Sequence, residues 1–230
     1  MKMRIEKFLS QNTSYTRSEI KNLISSKKIK VNDIIIKKSV QISATDIVKI
    51  NDVIVESKEE FIYLLLNKPA GYVCANTDLI HKTVFDLIDQ KYLNYKDIHT
   101  VGRLDKDTEG LLLITNDGEL THKLLAPKKH VIKTYFVKTD KEIKPELIKI
   151  FEQGFDIGEK NNTLPAKLEI INSNECFLSI NEGKFHQVKR MFLKFGLTVI
   201  YLKRISFGKL ELPKDLKLGQ YIKITKEQIL

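Results

Sequence analysis

The stretch at residues 102–118, "GRLDKDTEGLLLITNDG", carries Asp105, Asp107, Glu109 and Asp117 around four consecutive apolar residues, with Glu119 directly after. Three readings compete for it: a calcium loop, a solvated turn between two strands, or an active-site loop in which one carboxylate matters. An EF-hand loop needs oxygen ligands at positions 1, 3 and 5, Gly at 6 and a bidentate Glu at 12. Asp105, Asp107, Glu109 and Gly110 fill the first half, but position 12 is Asn116. "LLLIT" then reads as a strand where such a loop would enter a helix. The spacing instead predicts that "HTVGRLD" runs up one strand, "KDTE" turns and "GLLLITND" returns. Asp117 would cap a helix over 118–125 that Pro127 ends. Asp107 and Glu109 then face water, while Asp105, at a strand end, either points into a cleft or is one more turn carboxylate.

Across the whole chain, the 230 residues are 42% hydrophobic and 30% charged, ordinary globular usage with enough length for a sizeable core. The longest apolar run, "FIYLLL" at 61–66, is far too short to span a bilayer, and "MKMRIEKFLSQ" lacks the apolar core of a secretory signal. A cytoplasmic location without a membrane partner is the expectation. Cys74 and Cys176 form neither a CxxC pair nor a Cys/His cluster, which argues against a disulfide framework and a zinc site and suggests small buried hydrophobes.

The net charge of +10 points to a polyanionic partner. Residues 1–58 hold 12 Lys+Arg against 6 Asp+Glu, or +6, so a quarter of the chain carries more than half of the excess. Lysine dominates, and the few arginines include Arg103, two residues before Asp105. Guanidinium groups stack on bases and grip phosphates in ways an ammonium does not.

The first fifty residues read as helix, helix, short strands. Ile5, Phe8 and Leu9 suggest one amphipathic helix, and Ile20, Leu23 and Ile24 a second, capped by Thr16 or Ser18. "KKIKVNDIIIKKSVQISATDIVKI" alternates β-rich runs with turns at Asn32-Asp33 and 44–46. "ESKEE" at 56–60 is the linker candidate. Beyond it, strands are expected at 61–66, 110–115, 133–139, 168–180 and 198–203, and helices at 83–90, 118–125, 144–153 and 185–195. With no βα period, this predicts a mixed, largely antiparallel sheet flanked by helices. No two of the ten glycines have GxG spacing, no Gly-Lys-Ser/Thr is present, and the five histidines form no HExxH, which removes the dinucleotide, P-loop and zinc-protease signatures.

In the last predicted helix Phe185, Val188, Met191, Phe192 and Phe195 form one apolar face. Lys189 lies about 100° round from Val188, at the edge of that face, where it would either present its ammonium to a cleft or snorkel to the surface.

Two resemblances now carry residues. "RIEKFLSQ", "TRSEIKNLISSKKIKVND" and "ATDIVKI" resemble the S4 RNA-binding domain, with Glu6 in place of the usual Asp and Lys28 where Gly is common. The resemblance implies that Arg4, Lys7, Arg17, Lys21, Lys27, Lys28 and Lys30 meet RNA. "LNKPAGYVCA" at 66–75, "VGRLDKDTEGLLLITNDGEL" at 101–120, "KTYFV" at 133–137 and "EGKFHQVKRMF" at 182–192 match, in order, the S4-bearing pseudouridine synthases that modify ribosomal RNA. That family turns uridine into pseudouridine by breaking the N1–C1′ bond, rotating the uracil and joining C5 to C1′. Atoms are conserved, so no cofactor and no metal is implied. The details "YVCANTD" and "FHQVKRMF" and the chain length look most like the members acting on small-subunit (16S) RNA, with 23S RNA or a non-catalytic S4-type binder as alternatives.

The resemblance makes Asp105 the catalytic carboxylate, as nucleophile or base. Lys189 becomes its cation and Tyr135 the ring that stacks on the target uracil, with Arg103 near the flipped nucleotide; the alternative for Arg103 is an ion pair with Asp105 or Asp107. His186, Gln187 and Arg190 would either face RNA or form a solvated helix side, and Asn67 and Lys68 would be architectural. The expected α+β organisation is an S4-like unit at 1–56, a linker at 57–60 and a catalytic domain at 61–230. The expected partner is ribosomal RNA or an assembly intermediate, met as a monomer.

Overall fold

The computed structural model describes residues 2–43, 45–56, 60–126 and 131–230. Most of the linker at 57–60, the turn residue Ala44, and Pro127 lie outside the described residues. The chain divides into two compact units, Met1–Glu60 and Phe61–Leu230.

In the first unit β1 (Met3–Arg4) leads into α1 (Ile5–Asn12) and α2 (Arg17–Ser25). Then follow β2 (Ile29–Val31), β3 (Ile34–Ile35), β4 (Gln41–Ile42), β5 (Val48–Ile50) and β6 (Val53–Ile54). Thr16, not Ser18, caps α2: its hydroxyl accepts from Glu19 N while Glu19 accepts from Thr16 N, a reciprocal box. The helix ends with Lys28 N donating to Leu23 O and Lys27 N to Ile24 O around a left-handed Lys27 at φ 59°. The positive φ therefore falls on Lys27, and Lys28 takes the place of the usual Gly without strain. Asn32-Asp33 and Asn51-Asp52 all have positive φ, as the tight hairpins β2–β3 and β5–β6 require. Ile5, Leu9, Ile20, Ile24, Ile29 and Val48 close the core beneath.

The second unit is built from β7 (Tyr63–Lys68), a 3-10 turn (Val84–Leu87), α3 (Gln90–Leu93), β8 (His99–Thr100), β9 (Glu109–Thr115) and α4 (Gly118–Leu125). After these come β10 (Lys133–Thr139), α5 (Leu147–Gln153), β11 (Lys167–Ile170), β12 (Glu175–Ile180), α6 (Gln187–Leu193), β13 (Val199–Phe207), β14 (Leu210–Glu211), β15 (Tyr221–Lys223) and α7 (Lys226–Ile229). Among the described residues one nine-stranded sheet runs β11-β12-β10-β13-β9-β7-β15, with β14 on β13 and β8 on β9. Its pairings are antiparallel except β9–β13, so the sheet is mixed and mainly antiparallel, as the sequence suggests. The single strand expected over 168–180 is a hairpin, because Asn172 and Asn174 turn the chain between β11 and β12. The helix expected at 83–90 is a 3-10 turn followed by the short α3.

"LLLIT" is buried on both faces. Leu112 and Ile114 enter a core with Leu64 and Leu66, while Leu111 and Leu113 enter a second core with Leu65 and Leu120 on the opposite face. Where β9 meets β13, Gly110 (φ 102°) lies against Arg204: a Cβ there would overlap the Arg204 carbonyl and sit 2.8 Å from its amide N. Asp117 caps α4 through Leu120 N at 2.9 Å. It is also buried, accepting from Tyr63 Oη and Lys226 Nζ at 2.8 Å each rather than facing solvent. Asn116, the residue that ends the calcium reading, accepts from Ile62 N.

Candidate active site

The up-strand of the expected hairpin is shorter than its sequence suggests. Only His99 and Thr100 pair with β9, after which Val101 N reaches Leu113 O and residues 102–108 form a loop. Two features shape that loop. Gly102 has φ 75°, and Thr108 N closes a turn on Asp105 O at 3.1 Å.

Beneath the loop is Lys68, the last residue of β7 and fully buried. Its ammonium, with three N–H groups, lies within hydrogen-bond reach of four carbonyls: Pro69 at 3.0 Å, Asp105 at 3.1 Å, Lys106 at 3.3 Å and Thr108 at 2.8 Å. Burial pushes its pKa down, only partly opposed by Cys74, Asp107, Asp105 and Glu109. The residue read as architectural is thus the clamp of the loop. A lysine closing the apolar run "YLLLNK" was the available signal, because a charge at a buried strand end needs partners.

Asp105 stands with its side chain 29% exposed. Its Oδ2 is 3.2 Å from Lys189 Nζ and its Oδ1 is 3.6 Å from His186 Nε2. Lys189 projects from α6, whose buried face is Val188, Met191 and Phe192. The ammonium is shared. Asp107, expected to face water, also accepts from it at 2.5 Å. Burial opposes the charge of Lys189, but the Asp107 hydrogen bond and the Asp105 charge outweigh it and hold its pKa above the ordinary value. Burial likewise opposes the charge of Asp107, and the Lys189 hydrogen bond wins, keeping that carboxyl below its usual range. Lys189 is therefore held cationic beside both carboxylates. Glu109 differs again, accepting from Tyr201 Oη at 2.7 Å.

Asp105, Arg103, Tyr135, His186 and Lys189 line one pocket of about 90 Å³, so the four residues expected to form the active site meet there, joined by His186. Tyr135, on β10, is buried with its ring in the core. Arg103 is exposed and makes no ion pair among the described residues, so the alternative of a pair with Asp105 or Asp107 is not what the fold adopts. A wider cleft of about 880 Å³ adjoins it and shares Arg103, Leu104, Asp105, Gly183, Lys184 and His186. Lys133, on its wall, is driven down to about 8 by burial and by the charge of Arg204.

Three expectations in "EGKFHQVKRMF" change. The helix begins at Gln187, two residues later than its apolar phase suggests, and Phe185 is 72% exposed outside it. Gln187 is buried rather than facing RNA, donating to Glu182 Oε1 at 2.9 Å and accepting from Lys184 N at 2.9 Å. The guanidinium of Arg190 turns onto Glu159 at 2.6 Å and onto the carbonyls of Ile157 and Phe185. In the first unit Arg4, Lys7, Arg17, Lys21, Lys27 and Lys28 are exposed without ion pairs among the described residues, whereas Lys30 is paired with Asp52 at 2.5 Å. No group of three or more metal-binding side chains occurs among the described residues, and no helix among them is long and apolar enough to cross a membrane.

A carboxylate, an ammonium and a buried aromatic ring around a small pocket suit nucleophilic or acid–base chemistry. Residues 62–194 match the family model of RNA pseudouridylate synthases and residues 3–54 that of the S4 domain. The chain is 39% identical to ribosomal small subunit pseudouridine synthase A of Haemophilus influenzae, covering 99% of this chain and 98% of that protein. It is 45% identical over 174 residues to an uncharacterized RNA pseudouridine synthase of Bacillus subtilis, covering 74% of this chain and 72% of that one. A crystal structure of a pseudouridylate synthase superposes with a TM-score of 0.70 at 38% identity, covering 99% and 98% of the two chains. The chain belongs to the RNA pseudouridine synthase family, with an S4 domain preceding the synthase domain.

Proposed function

We propose that the protein converts one uridine of small-subunit (16S) ribosomal RNA to pseudouridine, with Asp105 as the reacting carboxylate. The observation that carries the catalytic part is the 3.2 Å approach of Lys189 Nζ to Asp105 Oδ2 in the pocket lined by Tyr135. A carboxylate withdrawn from water keeps its charge when a cation is beside it. It then either attacks C1′ as the glycosidic bond to N1 breaks or removes a sugar proton to start elimination. The freed uracil turns under the Tyr135 ring and C5 bonds to C1′. In the first route this expels the Asp105 carboxylate from its ester; in the second C5 adds to the glycal and Asp105 returns the sugar proton. The C5 proton then leaves to solvent and N1 takes one up. The C1′ of a stacked nucleotide is out of reach, so the uridine is extruded at a cost of a few kcal/mol. Arg103, exposed at the pocket and not engaged in an ion pair among the described residues, is suited to hold the adjoining phosphate.

The substrate class is supported by the full-length likeness to synthases named for the small ribosomal subunit. The first unit, residues 1–56, would grip RNA through the exposed cations Arg4 to Lys28, and the catalytic part spans 61–230. A monomer acting on ribosomal RNA or an assembly intermediate in the cytoplasm completes the proposal. The test is to map pseudouridines in ribosomal RNA from cells with and without the gene. Loss of one site in small-subunit RNA, restored by the wild-type gene, is expected; an unchanged small-subunit map with a loss in 23S RNA would overturn the substrate assignment.

A further inference from the structure

We infer that Phe185, backed by His186, is a stacking platform for a nucleotide flanking the extruded uridine. This rests on the RNA substrate class proposed above. The helical phase of "KFHQVKRMF" would bury Phe185 with Val188 and Met191, yet the ring is 72% exposed. It lies flat on the His186 imidazole, centroids 3.8 Å apart and planes 20° from parallel. His186 holds φ 47° and ψ 34°, a left-handed conformation that a residue with a Cβ seldom adopts and that clusters at functional sites.

The segment is pinned on both sides. Arg190 donates to Phe185 O at 3.1 Å, and Lys184 donates through its amide to Gln187 and through its ammonium to the carbonyls of Asn161 and Asn162. The exposure is thus fixed by the fold.

The location selects the ligand. Of these two cavities Phe185 lines the wider cleft, whereas His186 lines both that cleft and the Asp105 pocket. At about 90 Å³ the pocket holds the volume of roughly three waters, so nucleotides beside the extruded one must lie in the wider cleft. That cleft also presents Arg103, Lys106, Lys133 and Lys184 against the two carboxylates Asp105 and Glu182, an excess of cations. An exposed ring among cations fits a flat, polyanionic chain better than an apolar peptide, and with one face covered by His186 the other is free for a base.

The test compares Phe185→Leu, which keeps apolar bulk, with Phe185→Tyr, which keeps the ring. Tritium release from [5-³H]uridine-labelled small-subunit ribosomal RNA gives kcat and KM, and thermal unfolding checks that both variants fold. Phe185→Leu is expected to raise KM about 10-fold or more with kcat within about twofold, and Phe185→Tyr to restore the wild-type KM. An unchanged KM in Phe185→Leu overturns the platform, and so does a fall in kcat alone, which would place Phe185 in the chemical step. If the wild type releases no tritium, the proposed substrate fails separately. The platform is then judged on affinity for a single-stranded RNA dodecamer, where equal affinity of the Leu variant and the wild type overturns it.

Discussion

Replacing Lys68 with Met should leave a folded protein with a crippled active-site loop. The side chain keeps its length but loses an ammonium whose three N–H groups are shared among the carbonyls of Pro69, Asp105, Lys106 and Thr108. Two of these carbonyls keep an amide donor: Asp105 O accepts from Thr108 N, and Lys106 O from Gly71 N. The uncompensated loss is then on the order of one buried acceptor, Thr108 O, and one part-buried acceptor, Pro69 O, at about 1–3 kcal/mol each at most. Part of that is returned because no charge needs to be buried, leaving a net destabilisation of about 1–4 kcal/mol. The unit spans 170 residues, Phe61 to Leu230, so unfolding should move down by about 2–4 °C per kcal/mol. The larger effect is on chemistry. The clamp holds the backbone on both sides of Asp105, and a misplacement of about 1 Å can cost about 100-fold in rate. Single-turnover tritium release should therefore show the chemical rate down about 100-fold with RNA affinity within threefold. Lys68→Arg should fail as well, because a planar fork does not reproduce a tetrahedral ammonium among four carbonyls. A Lys68→Met protein that loses stability but keeps its rate within threefold would rule out the clamp, since the loop would then hold Asp105 without it.

Other expectations rest on the same kind of packing and pairing. Gly110→Ala places a methyl group against the Arg204 carbonyl at φ 102°, and thermal unfolding should fall by roughly 10 °C; a change under 2 °C would mean the β9–β13 crossing yields easily. Burial opposes ionisation of Asp117, but its bonds from Lys226, Leu120 N and Tyr63 hold its pKa below the ordinary carboxylate value. Its stabilisation is therefore present above about pH 4 and disappears as pH falls through the folded-state value, so Asp117→Asn should flatten the acid limb of a stability–pH curve; an unchanged limb would count against it. Alanine at Arg4, Lys7, Arg17 and Lys21 together should weaken RNA binding and flatten its salt dependence, by about 0.7–0.9 in the log–log slope for each phosphate that is no longer neutralised. An unchanged slope would remove the RNA-gripping role of these residues.

Much of this molecule is legible in its sequence where local pattern and tertiary demand agree. "LLLIT" is apolar at every position but the last because both faces of β9 are covered, and Asp117 before Gly118 announces a cap that the fold uses. Legibility fails where long-range backbone contacts decide. The acceptors of Lys68 lie up to 40 residues away and are carbonyls, which leave no side-chain signature. Helical phase runs unbroken through Phe185, but the left-handed backbone at His186 delays the helix and turns the ring outward. Asp107 looks like any turn acid until α6 brings Lys189 to it from 82 residues away. The pairing of Asp105 with Lys189 is legible only through resemblance to a family, since nothing in the spacing of the two residues joins them.

The decisive comparison is between two neighbouring carboxylates that share one ammonium. Asp105→Asn and Asp107→Asn should both fold and bind small-subunit ribosomal RNA with affinity near that of the wild type. Pseudouridine formation should fall below detection in Asp105→Asn and stay within about threefold of wild type in Asp107→Asn. Measurable turnover by Asp105→Asn, or abolished turnover in Asp107→Asn alone, would show that Asp105 does not carry the chemistry.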